Sequence, residues 1–521
     1  SYLLWMIMGF LVVSAVLVVF LGRLGDLYGR VKVYNLGFAV FAVASVLLSL
    51  DPLDGGRGAM WLIVGRVVQG VGGAMLFANS TAILTDAFPA EQRGMALGIN
   101  NVSAVAGSFL GLVIGGLLSE WDWRAVFWVS VPIGVGGAIW GYVSLHEMGT
   151  RRKAGVDLWG NLTFAVGLTS VLVAITYGIQ PYGGHSTGWQ NPWVLTGLIG
   201  GVVLLVVFIV IETRVTDPMF SMQLFQIRPF WSGNLAALLA ATARGGMQFM
   251  LIIWLQGIWL PQHGYDFEQT PLWAGICMLP LTIGLLIAGP TSGYLSDRFG
   301  ARPFATAGML GSALSFALLL LLPTNFSYPV FAAILLLNGL SMGMFASPNR
   351  AAVMNSLPAG DRGAGGGMNQ TFQNSAQVLS IGIFFTLMIA GLAATLPATL
   401  SSGLQAHGVG AATAGQVAAL PPVSILFAAF LGYNPIEQLL GSHALHALPG
   451  HDQAVLTGHS FFPHLISGPF RDGLHAAFAF AIIACLVAAA ASLLRGERRD
   501  REPAPVALRG VAPRREEQHA R

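Results

Sequence analysis

Residues 22–32 read Gly22-Arg23-Leu24-Gly25-Asp26-Leu27-Tyr28-Gly29-Arg30-Val31-Lys32. Residues 293–302 read Gly293-Tyr294-Leu295-Ser296-Asp297-Arg298-Phe299-Gly300-Ala301-Arg302. In both, a glycine precedes the aspartate by four residues and another follows it by three; the copies lie 271 positions apart. These residues suit ion pairing rather than bond making. Asp26 with Arg30, or Asp297 beside Arg298, offers charge-assisted hydrogen bonds. Gly22, Gly25, Gly29, Gly293 and Gly300 let helix ends approach closely. Such a loop holds two elements together or lets them part.

Two further cations lie well inside apolar sequence, Arg66 and Arg244. An arginine keeps its charge, so neither can carry a proton, though each can bias a neighbour's titration. Arg244 precedes Gly245 and Gly246. It is expected either to take an anionic group of a bound solute, to close a gate, or to form a structural ion pair. The carboxylates Asp86, Asp157, Glu212 and Asp297 sit near the ends of apolar blocks, none at a block centre. Gln370, Gln373, Asn374 and Gln377 recur at i, i+3, i+4 and i+7, one face of a helix. With Asn101 and Gln248 they are the candidate lining residues. Gly70, Gly111, Gly115 and Gly116 are candidate helix-packing positions.

Other chemistries lack their residues. Cys277 and Cys485 stand in apolar blocks without metal-ligand spacing. His407, His443, His446, His451, His459 and His464 are irregularly spaced and match no zinc site. There is no glycine-rich phosphate loop ending in Lys-Ser/Thr, and no His, Asp or Cys constellation for catalysis. The reading is a non-enzyme without metal or resident cofactor.

The elements that position these residues are membrane helices. Of 521 residues, 55% are hydrophobic and only 9% charged, where a soluble chain carries roughly a quarter charged. The apolar residues fall into blocks of about twenty, a bilayer-crossing length. Thirteen spans are expected, at 1–21, 33–50, 61–84, 95–118, 124–145, 158–177, 193–212, 231–256, 272–294, 303–322, 328–348, 372–395 and 475–494. The stretch 417–440 contains Pro421, Pro422, Pro435 and Glu437 and is expected to be re-entrant or amphipathic. Alternate connections hold twenty-one of the Lys/Arg residues, against three (Arg57, Arg124, Arg471) on the other side. This asymmetry puts residues 22–32 and the C-terminal tail in the cytoplasm, and 396–473 outside. It also accounts for the pI near 9.0 without nucleic acid. Duplicated loops in an all-helical membrane chain are what a transporter built from two related halves leaves in its sequence.

The residues that carry a family resemblance are now in view. Gly22 to Lys32 resembles the signature loop of the major facilitator superfamily. Arg66-Val67-Val68-Gln69-Gly70-Val71-Gly72-Gly73-Ala74 resembles its fourth-helix motif. Trp123-Arg124-Ala125-Val126-Phe127, then Pro132-Ile133-Gly134, resembles its entry to the sixth helix. Within the superfamily the chain is most similar to the fourteen-helix drug:proton antiporters, with their first helix apparently absent. It departs from them in the fifth helix, where Leu112 stands at a proline position in Gly107–Gly116. The resemblance implies an all-α membrane fold of two pseudo-symmetric six-helix bundles plus two linking helices. The divisions would be 1–145 for the N-terminal bundle, 146–229 for the linking helices, 230–494 for the C-terminal bundle with an extracellular loop at 396–473, and 495–521 for a disordered cytoplasmic tail. It further implies a monomeric multi-pass protein of a bacterial plasma membrane. Such a protein exports small amphipathic compounds such as drugs or antibiotics, driven by the proton gradient. Arg66, Asp26, Arg30 and Arg244 would serve transport and coupling. A facilitator or symporter of a specific metabolite is the alternative.

Overall fold

Apolar blocks become helices because hydrocarbon leaves backbone N–H and C=O groups no partners but their own. The computed structural model describes residues 2–88, 100, 103–104, 106–107, 110–111, 113–118, 121–147, 157–215, 218, 220–358, 362–431, 434–458 and 460–494. Among them, twelve helices are long and apolar enough to cross a membrane. They correspond to twelve of the thirteen expected spans. Much of the other, 95–118, lies outside the described residues, as do Asn101, Leu112 and the tail 495–521.

The order is α1 Tyr2–Tyr28, α2 Arg30–Ser49, α3 Gly55–Ala87 and α4 Ala125–Ser144. Then come α5 Leu158–Gly178 and α6 Pro192–Glu212. α7 Arg228–Gln262 follows, with a π-helical stretch at Leu255–Trp259. α8 Thr270–Cys277 and α9 Leu279–Phe299 together make one span, followed by α10 Ala301–Leu321, α11 Tyr328–Asn355 and α12 Arg362–Ala406. Four short helices come next: α13 Ala411–Ala418, α14 Pro422–Leu431, α15 Ile436–His446 and α16 Gly450–Thr457. α17 Phe461–Leu493 ends the described chain.

The spans form the two-bundle architecture. α3 packs against α1 and α2, and α4 against α2. In the second bundle α11 packs against α9 and α10, while α7, α12 and α17 pack against one another. α12 also meets α1, and α5 lies against both. α6 covers α5, and Phe164, Phe208 and Phe220 close that corner with ring centroids 5.1–5.5 Å apart. Local chemistry starts these two helices. The Asp157 carboxylate accepts from the Gly160 N–H at 2.9 Å, and Asn191 caps α6 just before Pro192.

The segment 396–473 differs from its expected form as a loop. α12 continues to Ala406 and α17 already begins at Phe461. The reason is a leucine stripe, Leu392, Leu396, Leu400 and Leu404, each at most 1% exposed. Phe462, Ile466 and Phe470 of α17 are equally buried. Where the two helices cross, a Cβ on Gly391 would meet Gly473 backbone. Only 407–460 remains between them, and it is largely helical. α13 and the start of α14 meet at 86°, so 417–440 is no straight crossing.

Candidate functional site

The first charged loop is a single residue long in structure. Gly29 alone separates α1 from α2, with φ 114° and ψ 126°, a conformation nearly confined to glycine. That sharp break turns Arg30 back over the end of α1. Its Nε donates to Asp26 Oδ1 at 2.8 Å, and its Nη1 donates to Asp86 Oδ2 at 2.6 Å. One guanidinium thus bridges two carboxylates and ties α2 to the ends of α1 and α3. Glu147, beyond the end of α4, accepts from the Lys32 N–H at 3.1 Å and occupies the space beside Gly29. The Arg23 Nη2 donates to the Pro218 carbonyl at 3.4 Å, which brings in the segment after α6. At Gly25 a Cβ would collide with the Asn79 amide. At Gly22 it would make an ordinary contact, 3.6 Å from Ala78.

The second loop has the same backbone. Gly300 alone separates α9 from α10, with φ 85° and ψ 153°. Its charges are arranged differently. Arg298 is exposed and lies over the Tyr294 ring at 4.8 Å, a cation–π contact. The position equivalent to Arg30 is Ala301, so the bridging cation has no counterpart. A Cβ on Gly293 would come 2.9 Å from Ser347 Oγ. The Asp297 side chain lies outside the described ones.

Within the α3 span, Arg66 donates to Gln69 Oε1 at 2.9 Å, and Gln69 donates to Ser45 of α2 at 2.9 Å. The Arg66 guanidinium also lies 5.3 Å from the Phe127 ring centre. Gly70 brings α3 onto α1, where a Cβ would stand 2.9 Å from the Phe10 carbonyl. Gly116 does likewise against Leu272 of α8, at 2.7 Å from its Cα. Gly111 and Gly115 depart from the expected close packing. A Cβ on either would meet no described atom within 4 Å, so among the described residues the tight approaches fall at Gly70 and Gly116.

Arg244 is exposed near the middle of α7. Beside it, Gly245 admits α12, where Gln377 Cγ lies 3.3 Å from the position of an added Cβ. The Gly246 N–H donates to Ser380 Oγ at 2.6 Å, and that hydroxyl bonds the Thr242 carbonyl. A serine of α12 is therefore inserted into the α7 hydrogen-bond ladder. The amide stripe on α12 splits into two uses. Gln373 donates to Asn369 at 2.7 Å and Asn369 to Asn234 of α7 at 2.8 Å, while Gln370 donates to Asn374 at 2.9 Å. Among the described residues no side-chain hydrogen bond engages Gln248, one turn along from Arg244, or Gln377, which packs at Gly245. Asn79, Asn338 and Trp254 are at most 1% exposed, with Asn338 bonded to Ser315 at 2.5 Å and Trp254 to the Thr324 carbonyl at 3.1 Å. They pack helices rather than line a passage. Asp86 is singled out from sequence only as a carboxylate at a block end, not as a partner of Arg30, and Asn234 and Ser380 are not singled out at all. Their partners are 56, 135 and 134 residues away, beyond any local pattern.

Comparison with known proteins comes to the same architecture. The family model described as Major Facilitator Superfamily matches residues 1–381. A methyl viologen resistance protein of Salmonella typhimurium is 31% identical, with 80% of each chain covered. A tetracenomycin C resistance and export protein of Streptomyces glaucescens is 26% identical, over 96% of this chain and 86% of that one. A riboflavin transporter of Clostridioides difficile is 26% identical, over 75% and 81%. A crystal structure of a peptide transporter in complex with sulfate superposes with TM-score 0.53 at 15% identity, over 82% of this chain and 86% of that chain, a likeness of fold.

Proposed function

Because this chain belongs to the major facilitator superfamily of small-molecule transporters, we propose that it is a proton-driven exporter of small amphipathic compounds, of the fourteen-helix antiporter type. The observation that carries the reading is the Arg30 bridge between Asp26 and Asp86. It closes the ends of three helices on the arginine- and lysine-rich side of the chain. In this reading residues 1–145 and 230–494 are the bundles that rock about a central site, and 146–229 link them. The bridge stabilises one arrangement and must loosen for the other. Asp26 and Asp86 are carboxylates whose protonation would remove one arm of it, giving protons a means to bias the equilibrium. Export is supported by two relatives named for resistance, one of them also for export. The Lys/Arg asymmetry supports a cytoplasmic placement of this bridge and of the C-terminal tail in a plasma membrane.

Arg66 has a coupling role in this scheme. Its hydrogen bond reaches a neutral amide, so its charge acts on the central space uncancelled. The test is transport in proteoliposomes holding the full chain, with a panel of amphipathic dyes and an imposed proton gradient. Gradient-dependent accumulation, lost on collapsing the gradient, is the expected result. Arg66→Ala is expected to leave gradient-free exchange but to cut gradient-driven accumulation about tenfold or more. Equal loss of both would make Arg66 a packing residue. A second reading, a facilitator or symporter of one metabolite, is supported by the relative named as a riboflavin transporter. Gradient-independent movement of a single compound would favour it.

A further inference from the structure

Among the described residues Arg244 has no counter-charge. It lies 16 residues from the start of α7 and 18 from its end at Gln262, the middle of a membrane-spanning helix. Much of its face of the helix is closed. Ala237, Ala240 and Leu251, at i−7, i−4 and i+7, are 6%, 5% and 0% exposed. Leu235, on the opposite side, is 40% exposed, the sign of a lipid-facing surface. An exposed arginine on the buried stripe opens onto internal space rather than onto lipid. A charge placed so is expensive and is retained for a partner.

No residue of the described chain is that partner. The ion pairs among the described residues involve Arg30, Arg124 and His407, not Arg244. The sequence contains no Asp or Glu from 218 to 265, from 269 to 296, from 298 to 360 or from 362 to 436. These stretches include the membrane-spanning parts of α7 to α12. Gln248 stands one helical turn along from Arg244, and Gln377 of α12 reaches the adjacent Gly245, its Cγ 3.3 Å from the position of an added Cβ. Amides add hydrogen bonds without cancelling charge. In the other bundle Arg66 again places a positive charge within a span.

We infer that the transported compound carries an anionic group, a carboxylate in the simplest case, and that Arg244 receives it with Gln248 and Gln377 beside it. The planar fork of a guanidinium matches a carboxylate with two parallel hydrogen bonds. The same two positive charges disfavour a lipophilic cation in that space. This inference rests on the reading of the chain as a transporter with a central site, and not on the direction of transport or on proton drive.

The experiment uses the reconstituted full chain and three compounds on one fluorescent aromatic scaffold: a carboxylate, its methyl ester and the corresponding amine. The wild type is expected to move the carboxylate at least about tenfold faster than the ester or the amine. The carboxylate alone should raise the thermal midpoint of the detergent-solubilised protein, a readout that needs no variant. Arg244→Gln should abolish the preference, and Arg244→Lys should keep part of it. Transport of ester or amine as fast as the acid, with no acid-specific thermal shift, overturns the inference and leaves the transporter reading standing. Movement of none of the three by protein that melts cooperatively counts against the transporter reading and removes the ground for the inference.

Discussion

Replacing Arg30 with alanine is expected to reduce transport about tenfold or more while the protein still inserts and melts cooperatively. The guanidinium holds Asp26 and Asp86 on two different helices. Its removal leaves two facing carboxylates that repel. Each carboxylate side chain is about a quarter to a third exposed, so water screens part of the penalty. A cost of roughly 1–3 kcal/mol is then appropriate, between the surface and the buried cases. Since 1.4 kcal/mol is a factor of about ten in an equilibrium, the balance between the two arrangements moves by one to two decades. Arg30→Lys sharpens the test. A lysine keeps the charge but has a point-like ammonium in place of the fork, so it can serve one carboxylate well and not both. It should recover only part of the activity. Asp26→Asn should fall between wild type and Arg30→Ala, because the neutral amide still accepts a hydrogen bond. Wild-type turnover by correctly inserted Arg30→Ala protein would remove this bridge from the cycle.

The second large effect concerns the two single-residue turns. Gly29 and Gly300 both hold positive φ with extended ψ, where a side chain costs about 1–3 kcal/mol. Their surroundings differ. Among the described residues a Cβ at Gly300 meets nothing within 4 Å, whereas at Gly29 it meets the Glu147 carboxylate. Gly300→Ala therefore isolates the backbone cost. Gly29→Ala adds displacement of Glu147 and loss of its bond to the Lys32 N–H. Thermal unfolding in detergent should show both variants destabilised, Gly29→Ala more so. The gap should narrow when Glu147→Ala is combined with Gly29→Ala, since the collision is then gone. An unchanged gap would mean that Glu147 yields freely.

These two turns also mark what was legible in the chain. The pair Gly22/Gly293 with Asp26/Asp297 and Gly29/Gly300 exposed the duplication, because a turn between packed helices tolerates few residues and so leaves a short, dense signal. The apolar spans were legible because bilayer thickness sets their length. Their continuation was not. A window matched to a bilayer stops at about twenty residues, while α12 runs on through Leu396, Leu400 and Leu404, which are buried in one cluster with Phe462 and Ile466 of α17, residues separated from them by a whole cap of short helices. The Arg30–Asp86 bridge was half legible. Asp26 lies one helical turn from Arg30, but Asp86 arrives only through packing of α3. The α12 stripe was found by its period, yet periodicity cannot say that Gln373 is spent on Asn369 while Gln377 is left beside Gly245.

In the proposed cycle the unbroken run of α12 and α17 beyond the length of a bilayer crossing gives the second bundle a stiff lever. Any tilt of that bundle must swing the cap of 407–460 with it, through an arc larger than any displacement at the central site. Spectroscopic labels on the cap and on the outer end of α3 would thus magnify the cycle into a distance that is easy to measure. A protein binder gripping the cap would act as a brake on the moving half without ever entering the path of the solute.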